Sequence, residues 1–215
     1  MLNLYIGGLK NRFSAKSRPT MTKQVILITG TPCTGKTTVS HALASKLNAL
    51  YINLTELATQ ENLTIGKDKK RNTTIINETR MKQKTNQIIK QSTKKNIIID
   101  GHYAANVVPK QLISYVFVLR RNPVELRKIM EKCGFKNNKL WENLASEILD
   151  VCLVDALNIQ TTGKICEIDT TNKSTKEVTN EILAILADPK KCCVGIVDWL
   201  GKLEQENLLD EYLKI

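Results

Sequence analysis

The chain has 215 residues, 42 % hydrophobic and 25 % charged, the composition of a globular protein with room for one well-buried domain. Its formal charge of +11 suits polyanionic partners such as nucleotides or RNA, although a solvated lysine-rich surface gives the same total. No apolar run approaches the roughly 20 residues of a membrane span, and the six cysteines form no CxxC pair that could open a zinc set.

The first stretch, "MLNLYIGGLKNRFSAKSRPT", puts its apolar patch ahead of its positive charges, the reverse of a secretion signal. It reads as a disordered extension over residues 1–20 before a working chain that starts at Met21. Without such a signal, Cys33, Cys133, Cys152, Cys166, Cys192 and Cys193 read as reduced thiols of a cytoplasmic protein, the intracellular disulfides of thermophilic archaea being the known exception.

Residues 24–29, "QVILIT", form a short β-branched run of the kind covered on both faces. An amphipathic helix over 36–47 follows, with Val39, Leu43 and Leu47 on one stripe. "LYIN" (50–53) predicts a second strand and "LTELATQENL" a helical stretch, followed by a basic loop around Gly66 and a polar helix over about 75–91. "NIIID" (96–100) and "YVFVL" (115–119) predict two more strands. A helix starts at Pro123 and breaks at Cys133-Gly134-Phe135.

A long helix over about 138–158 precedes a fifth strand, "KICEID" (164–169). The last helix of the domain, 174–186, has Ser174 and Glu177 at capping-box spacing and ends at Asp188-Pro189. Strands alternating with helices predict a parallel sheet in a three-layer α/β fold over residues 21–188. The remainder, 189–215, reads as a separate amphipathic helix with Ile196, Leu200, Leu203, Leu209 and Leu213 on its stripe, which either packs back on the domain or binds a partner.

Between the first strand and helix, "GTPCTGKT" (30–37) satisfies GxxxxGK[ST] in the context that gives this pattern its meaning. Backbone N–H groups of the loop and first helical turn converge on phosphate oxygens, and the helix dipole adds to the attraction. Gly30 and Gly35 supply backbone freedom, Cys33 contributes through its main chain, and Lys36 reaches the β and γ phosphates of ATP. Thr37 is the Mg²⁺ ligand and Thr38 serves the α-phosphate.

"VILITGTPCTGKTT", "YINLTELA", "IIIDGHYA", "VFVLRRNP" and "ENLASEILDVCLVDA" occur in an order that resembles the adenylate kinase isoenzyme 6 family of archaea and eukaryotes, over about residues 25–186. The resemblance implies a P-loop NTPase fold with a five-stranded parallel sheet, of nucleoside monophosphate kinase type. It places an acceptor-binding region at about 54–80 and a short lid at about 132–142. It further implies an enzyme that converts ATP and AMP to two ADP, hydrolyses ATP, and assists late small-subunit ribosome maturation with a platform ribosomal protein and pre-ribosomal RNA as partners.

Asp100, at the C-terminal end of a parallel strand, is where open α/β sheets place ligands and is a candidate metal ligand. His102 is a candidate for orienting water or the moving phosphoryl group, a role the resemblance associates with ATP hydrolysis; the alternative is a plain packing residue. "DGHYAA" lacks the proline and arginine that ordinary adenylate kinases carry after this strand. Arg80, and less directly Arg71, either serve an incoming monophosphate or face solvent.

The lid departs from the family pattern, with Cys133 in place of an arginine before Gly134-Phe135. Arginine is prized there for bidentate, permanently cationic binding that a cysteine cannot supply, and Lys132, Lys136, Lys139, Arg120 and Arg121 are the candidates to compensate. In the family, the loop holding Lys173 contacts the nucleotide base; here it serves either that purpose or helix entry alone. Two readings follow: a nucleoside monophosphate kinase with ATPase activity, or an ATP-driven assembly factor with little kinase activity.

Overall fold

The computed structural model describes residues 22–68 and 73–213; the extension over 1–20, the start at Met21 and Arg71 lie outside the described residues. In chain order the elements are β1 (Gln24–Gly30), α1 (Lys36–Leu47), β2 (Leu50–Asn53), α2 (Leu54–Gln60), β3 (Thr64–Asp68), β4 (Thr73–Ile76), α3 (Glu78–Gln91), β5 (Asn96–Asp100) and α4 (Ala104–Val107). They continue with β6 (Ile113–Arg120), α5 (Pro123–Lys132), α6 (Asn137–Ile148), α7 (Val151–Leu157), β7 (Ile165–Asp169), α8 (Thr175–Ala187), α9 (Trp199–Gln205) and α10 (Leu209–Tyr212).

β1 lies at the centre of a five-stranded sheet of order β2-β5-β1-β6-β7, parallel at every pairing. Because side chains alternate across a strand, Val25 and Leu27 enter one core with residues of α2, α3, α4 and α7, while Ile26 and Ile28 enter another with α1 and α8. Both faces are covered, which is why the first strand reads as a continuous apolar run. Each fully buried Val, Ile or Leu contributes roughly 1.5–3 kcal/mol. The three-layer α/β fold with a five-stranded parallel sheet therefore stands as the sequence implied.

Three elements differ from the sequence reading. The basic loop around Gly66 is an antiparallel hairpin, β3 with β4, and helix α3 starts only at Glu78, capped by the Asn77 side chain on Arg80 N. The long helix expected over 138–158 is two: Asp150 adopts a left-handed conformation (φ 58°) between α6 and α7, which ends the regular helical bonding and redirects the chain.

The C-terminal region is not one amphipathic helix. Residues 192–198 run beside β7, with Glu167 N donating to the Cys193 carbonyl. The Asp198 side chain then caps α9 at Gly201 N. That start fixes the phase of the helix, so Trp199 and Leu203 are buried while Ile196 and Leu200 are exposed. With Tyr212, Leu203 joins Leu126, Met130, Leu140 and Leu144 in a third core beneath α5 and α6. Packing back on the domain is thus the alternative adopted.

The reading of all six cysteines as reduced thiols is corrected by a disulfide between Cys166 on β7 and Cys192 at the start of that returning segment. Cys33, Cys133, Cys152 and Cys193 are free. No helix among the described residues is long and apolar enough to cross a membrane.

Candidate functional site

The loop from Thr31 to Gly35 joins the C-terminal end of β1 to α1. Gly30 has φ 137°, and a Cβ there would overlap the Leu119 carbonyl oxygen on β6, so glycine is required for the close approach of the two strands. Gly35 (φ 95°) stands at the helix N-cap without a side-chain cap, and the first turn of α1 contains no acidic residue. Its N–H groups, with the positive end of the helix dipole behind them, are available to an anion.

Lys36 folds back over the loop, its Nζ donating to the Thr31 carbonyl at 2.8 Å. Burial lowers its pKa from the ordinary lysine range, against the pull of nearby anionic groups including Asp100. Thr34 is buried and bonds the same carbonyl through Oγ1, whereas Thr37 and Thr38 are exposed toward the space above the loop. Cys33 holds a left-handed backbone (φ 68°), and its thiol contacts that of Cys133 at the C-terminal end of α5. Burial, and then that contact, raise the Cys33 pKa.

Asp100 ends β5 directly beside this loop. Its carboxylate is 2 % exposed, and its Oδ2 accepts from Thr37 Oγ1 at 2.7 Å, Tyr51 Oη at 3.0 Å and Asn53 Nδ2 at 3.3 Å. All three donors are neutral. A buried carboxylate with no ion pair within 4 Å among the described residues, felt by Lys36 only at longer range and joined to a threonine hydroxyl, suits Mg²⁺, which keeps water and phosphate oxygens as most of its ligands. The described residues contain no cluster of three His, Cys, Asp or Glu that would form an all-protein metal cage. Thr37 and Asp100 are the residues that would hold the ion.

Tyr51 and Asn53 were missed in the sequence. They occupy alternate positions of β2, and Asn53 pairs in register with Asp100. Two polar residues with period two in a strand otherwise read as buried were the available signal. Burial, chiefly, together with Asp100 pushes the Tyr51 pKa up to about 12.

His102, two residues beyond Asp100, is exposed at its surface and lines a cleft of about 530 Å³ with Thr55, Thr74, Ile75, Tyr103 and Lys139. The cleft lies between α2, the β3–β4 hairpin and the start of α6. Desolvation on its inner side, then the Lys36 cation, push the imidazole pKa down to about 4, with Asp100 opposing. At neutral pH the ring is therefore uncharged.

The arginines are placed differently from the sequence reading. Arg120 is corrected outright: it is 2 % exposed and gives Nε to Glu147 at 2.9 Å, with further pairs to Glu167 and Asp150. A guanidinium committed to three carboxylates cannot replace a lid charge. Burial alone would lower its pKa, but Glu147 and Asp150 raise it. Arg121 reaches Glu125 at 2.6 Å and Thr170. Arg80 is exposed on α3 and does not line the cleft. Lys132 and Lys136 are exposed, and of the three lysines named for the expected lid only Lys139 lines the cleft. Lys173 pairs with Glu181 at 2.8 Å, in a loop closed by the Ser174–Glu177 capping box.

A family model described as "AAA domain" matches residues 26–150, a span that contains both the phosphate loop and Asp100. The chain is 37 % identical over 177 residues to a protein named "Putative adenylate kinase" from Methanocaldococcus jannaschii, covering 82 % of this chain and 93 % of the relative. To the protein of the same name from Pyrococcus furiosus it is 36 % identical over 181 residues, covering 84 % and 94 %. Among solved structures, a shikimate kinase from Acinetobacter baumannii superposes with a TM-score of 0.56 at 16 % identity, covering 79 % of this chain and 96 % of that one. At that identity the likeness concerns the fold. The extent of the sequence matches places the chain in the AAA-domain family of P-loop proteins, together with the archaeal proteins named "Putative adenylate kinase".

Proposed function

We propose that the protein is a nucleoside monophosphate kinase that passes the γ-phosphoryl group of ATP to AMP, and that it also hydrolyses ATP. The observation that carries this reading is the Thr37–Asp100 hydrogen bond, which sets a metal-binding hydroxyl and carboxylate at one end of the phosphate loop, with the cleft of His102 beside it. Mg²⁺, when bound, neutralises charge on the phosphates. Lys36 and the α1 N-terminus bind the donor phosphates, and α2, the hairpin and Lys139 enclose the acceptor. Neutral His102 accepts or donates one hydrogen bond and so orients a water or an acceptor oxygen.

Phosphoryl transfer depends on positioning and charge cancellation more than on covalent help. The placement of the arginines therefore favours a second reading, an ATP-driven assembly factor with little kinase activity. Arg120 and Arg121 are engaged elsewhere, and Cys133 stands where a lid arginine is the family pattern. Loss of one transition-state arginine lowers turnover by about 10³–10⁵ in systems where it has been removed. The part played in small-subunit maturation, with a platform ribosomal protein and pre-ribosomal RNA as partners, rests on the resemblance to the isoenzyme 6 family and on the +11 charge.

ADP formation from ATP, measured with and without AMP, separates the two readings. AMP-stimulated ADP production that disappears in Lys36→Ala supports the kinase. ADP production indifferent to AMP but lost in Lys36→Ala leaves the ATPase and removes the kinase.

A further inference from the structure

Asp100 is held from two sides. From the phosphate loop it receives Thr37; from β2 it receives Tyr51 and Asn53. Asn53 is itself fixed by a third element, because its Oδ1 accepts from Thr55 N at 2.9 Å and Glu56 N at 3.1 Å, capping α2. With the oxygen engaged at the helix, the Nδ2 donor has to face the strand, where it meets Tyr51 Oη and Asp100 Oδ2, each at 3.3 Å. The amide orientation is thus determined by its neighbours. The Tyr51 ring packs against His41 of α1, centroids 4.2 Å apart, which limits its rotation.

We propose that Tyr51 and Asn53 are positioning residues for metal–nucleotide binding, which fix the Asp100 carboxylate and through it the Thr37 hydroxyl. This rests on the reading of Thr37 and Asp100 as the Mg²⁺ side of an ATP site. A threonine hydroxyl has one proton and two lone pairs. While Asp100 takes the proton, only lone pairs remain to face a cation. A carboxylate free to rotate would let that hydroxyl turn, and two donors from a rigid strand prevent the rotation. A phenol at neutral pH is protonated and donates to the carboxylate, and the amide cannot ionise, so neither competes with the cation for charge.

The test uses the full chain and a fluorescent, non-hydrolysable ATP analogue, its binding titrated with Mg²⁺. Tyr51→Phe keeps the ring on His41 and removes the donor. Asn53→Ser keeps an acceptor for the α2 amides and removes the Nδ2 donor without adding a charge. Both variants should raise the half-saturating Mg²⁺ concentration by about tenfold to a hundredfold, the scale of one lost hydrogen bond to a charged group. Affinity for the analogue without metal should stay near wild type, and the thermal midpoint of Tyr51→Phe should fall only by the loss of that one hydrogen bond. Wild-type Mg²⁺ dependence in Tyr51→Phe overturns the proposal alone. Binding by the wild-type chain that ignores Mg²⁺ overturns the site reading, and the proposal with it.

Discussion

Trp199 donates its indole N–H to the buried Glu147 carboxylate at 3.1 Å. The same Glu147 oxygen accepts from Arg120 Nε and from the Arg121 backbone, and Glu167, the next carboxylate on Arg120, accepts from Gly195 N and Ile196 N. The C-terminal segment is therefore part of the polar network between the sheet and α6. Breaking a buried ion pair from one side leaves an uncompensated charge, at a cost of about 3–5 kcal/mol. Glu147→Ala should lose stability on that scale in urea unfolding. Trp199→Phe, which keeps most of the packing and removes one donor to a charged group, should lose about 1.5–3 kcal/mol.

The Cys166–Cys192 disulfide joins β7 to the returning segment across a separation of 26 residues. Closing a loop of this length in the unfolded chain stabilises the fold by about 3 kcal/mol in the chain-entropy model. A reducing agent, or Cys192→Ser, should lower the thermal midpoint by several degrees. The reducing agent should have no further effect on the Cys192→Ser variant.

The lowered pKa of His102 has a definite sign for stability. Between about 4 and 6.5 the unfolded chain binds a proton at this imidazole that the folded chain does not. Stability therefore falls as pH drops through 6.5 toward 4. His102→Gln should shift less than wild type in thermal midpoint between pH 7.5 and pH 5. Proton NMR of the two histidines should show one imidazole titrating well below 6.5, and its midpoint should rise when ATP brings anionic phosphates beside it.

Gly30 and Gly35 both have positive φ, but only Gly30 lacks room for a Cβ. Gly35→Ala should cost about 1–3 kcal/mol of backbone strain. Gly30→Ala carries similar strain and in addition pushes β1 from β6, so it should be the more damaging of the two by thermal denaturation.

Much of the fold was legible because its signals are local. Each parallel strand, buried on both faces, shows as a short apolar run, and GxxxxGKT fixes a loop conformation from its own residues. Ser174 and Glu177 are likewise a capping box in sequence and in space. The hairpin of Thr64–Asp68 with Thr73–Ile76 was not legible, since its strands are short, Gly66 interrupts the first and a basic run separates them in sequence, so they look like a loop until they pair. Nor was the break at Asp150, where the carboxylate faces Arg120 from a backbone conformation that helical periodicity does not announce.

The sequence by itself determined the chain order of the five sheet strands, the phosphate loop, and Asp100 and His102 at the mouth of a central strand. Tertiary structure alone decided what those residues touch. It turned Arg120 inward to Glu147 and Glu167, brought Tyr51 and Asn53 against Asp100, paired Cys166 with Cys192, and laid the C-terminal segment on α5 and α6. The physical reason is the same in each case. Periodicity reports which face of an element is apolar, whereas the partner of a buried charge, thiol or amide is set by which distant strand lies next to it in the sheet.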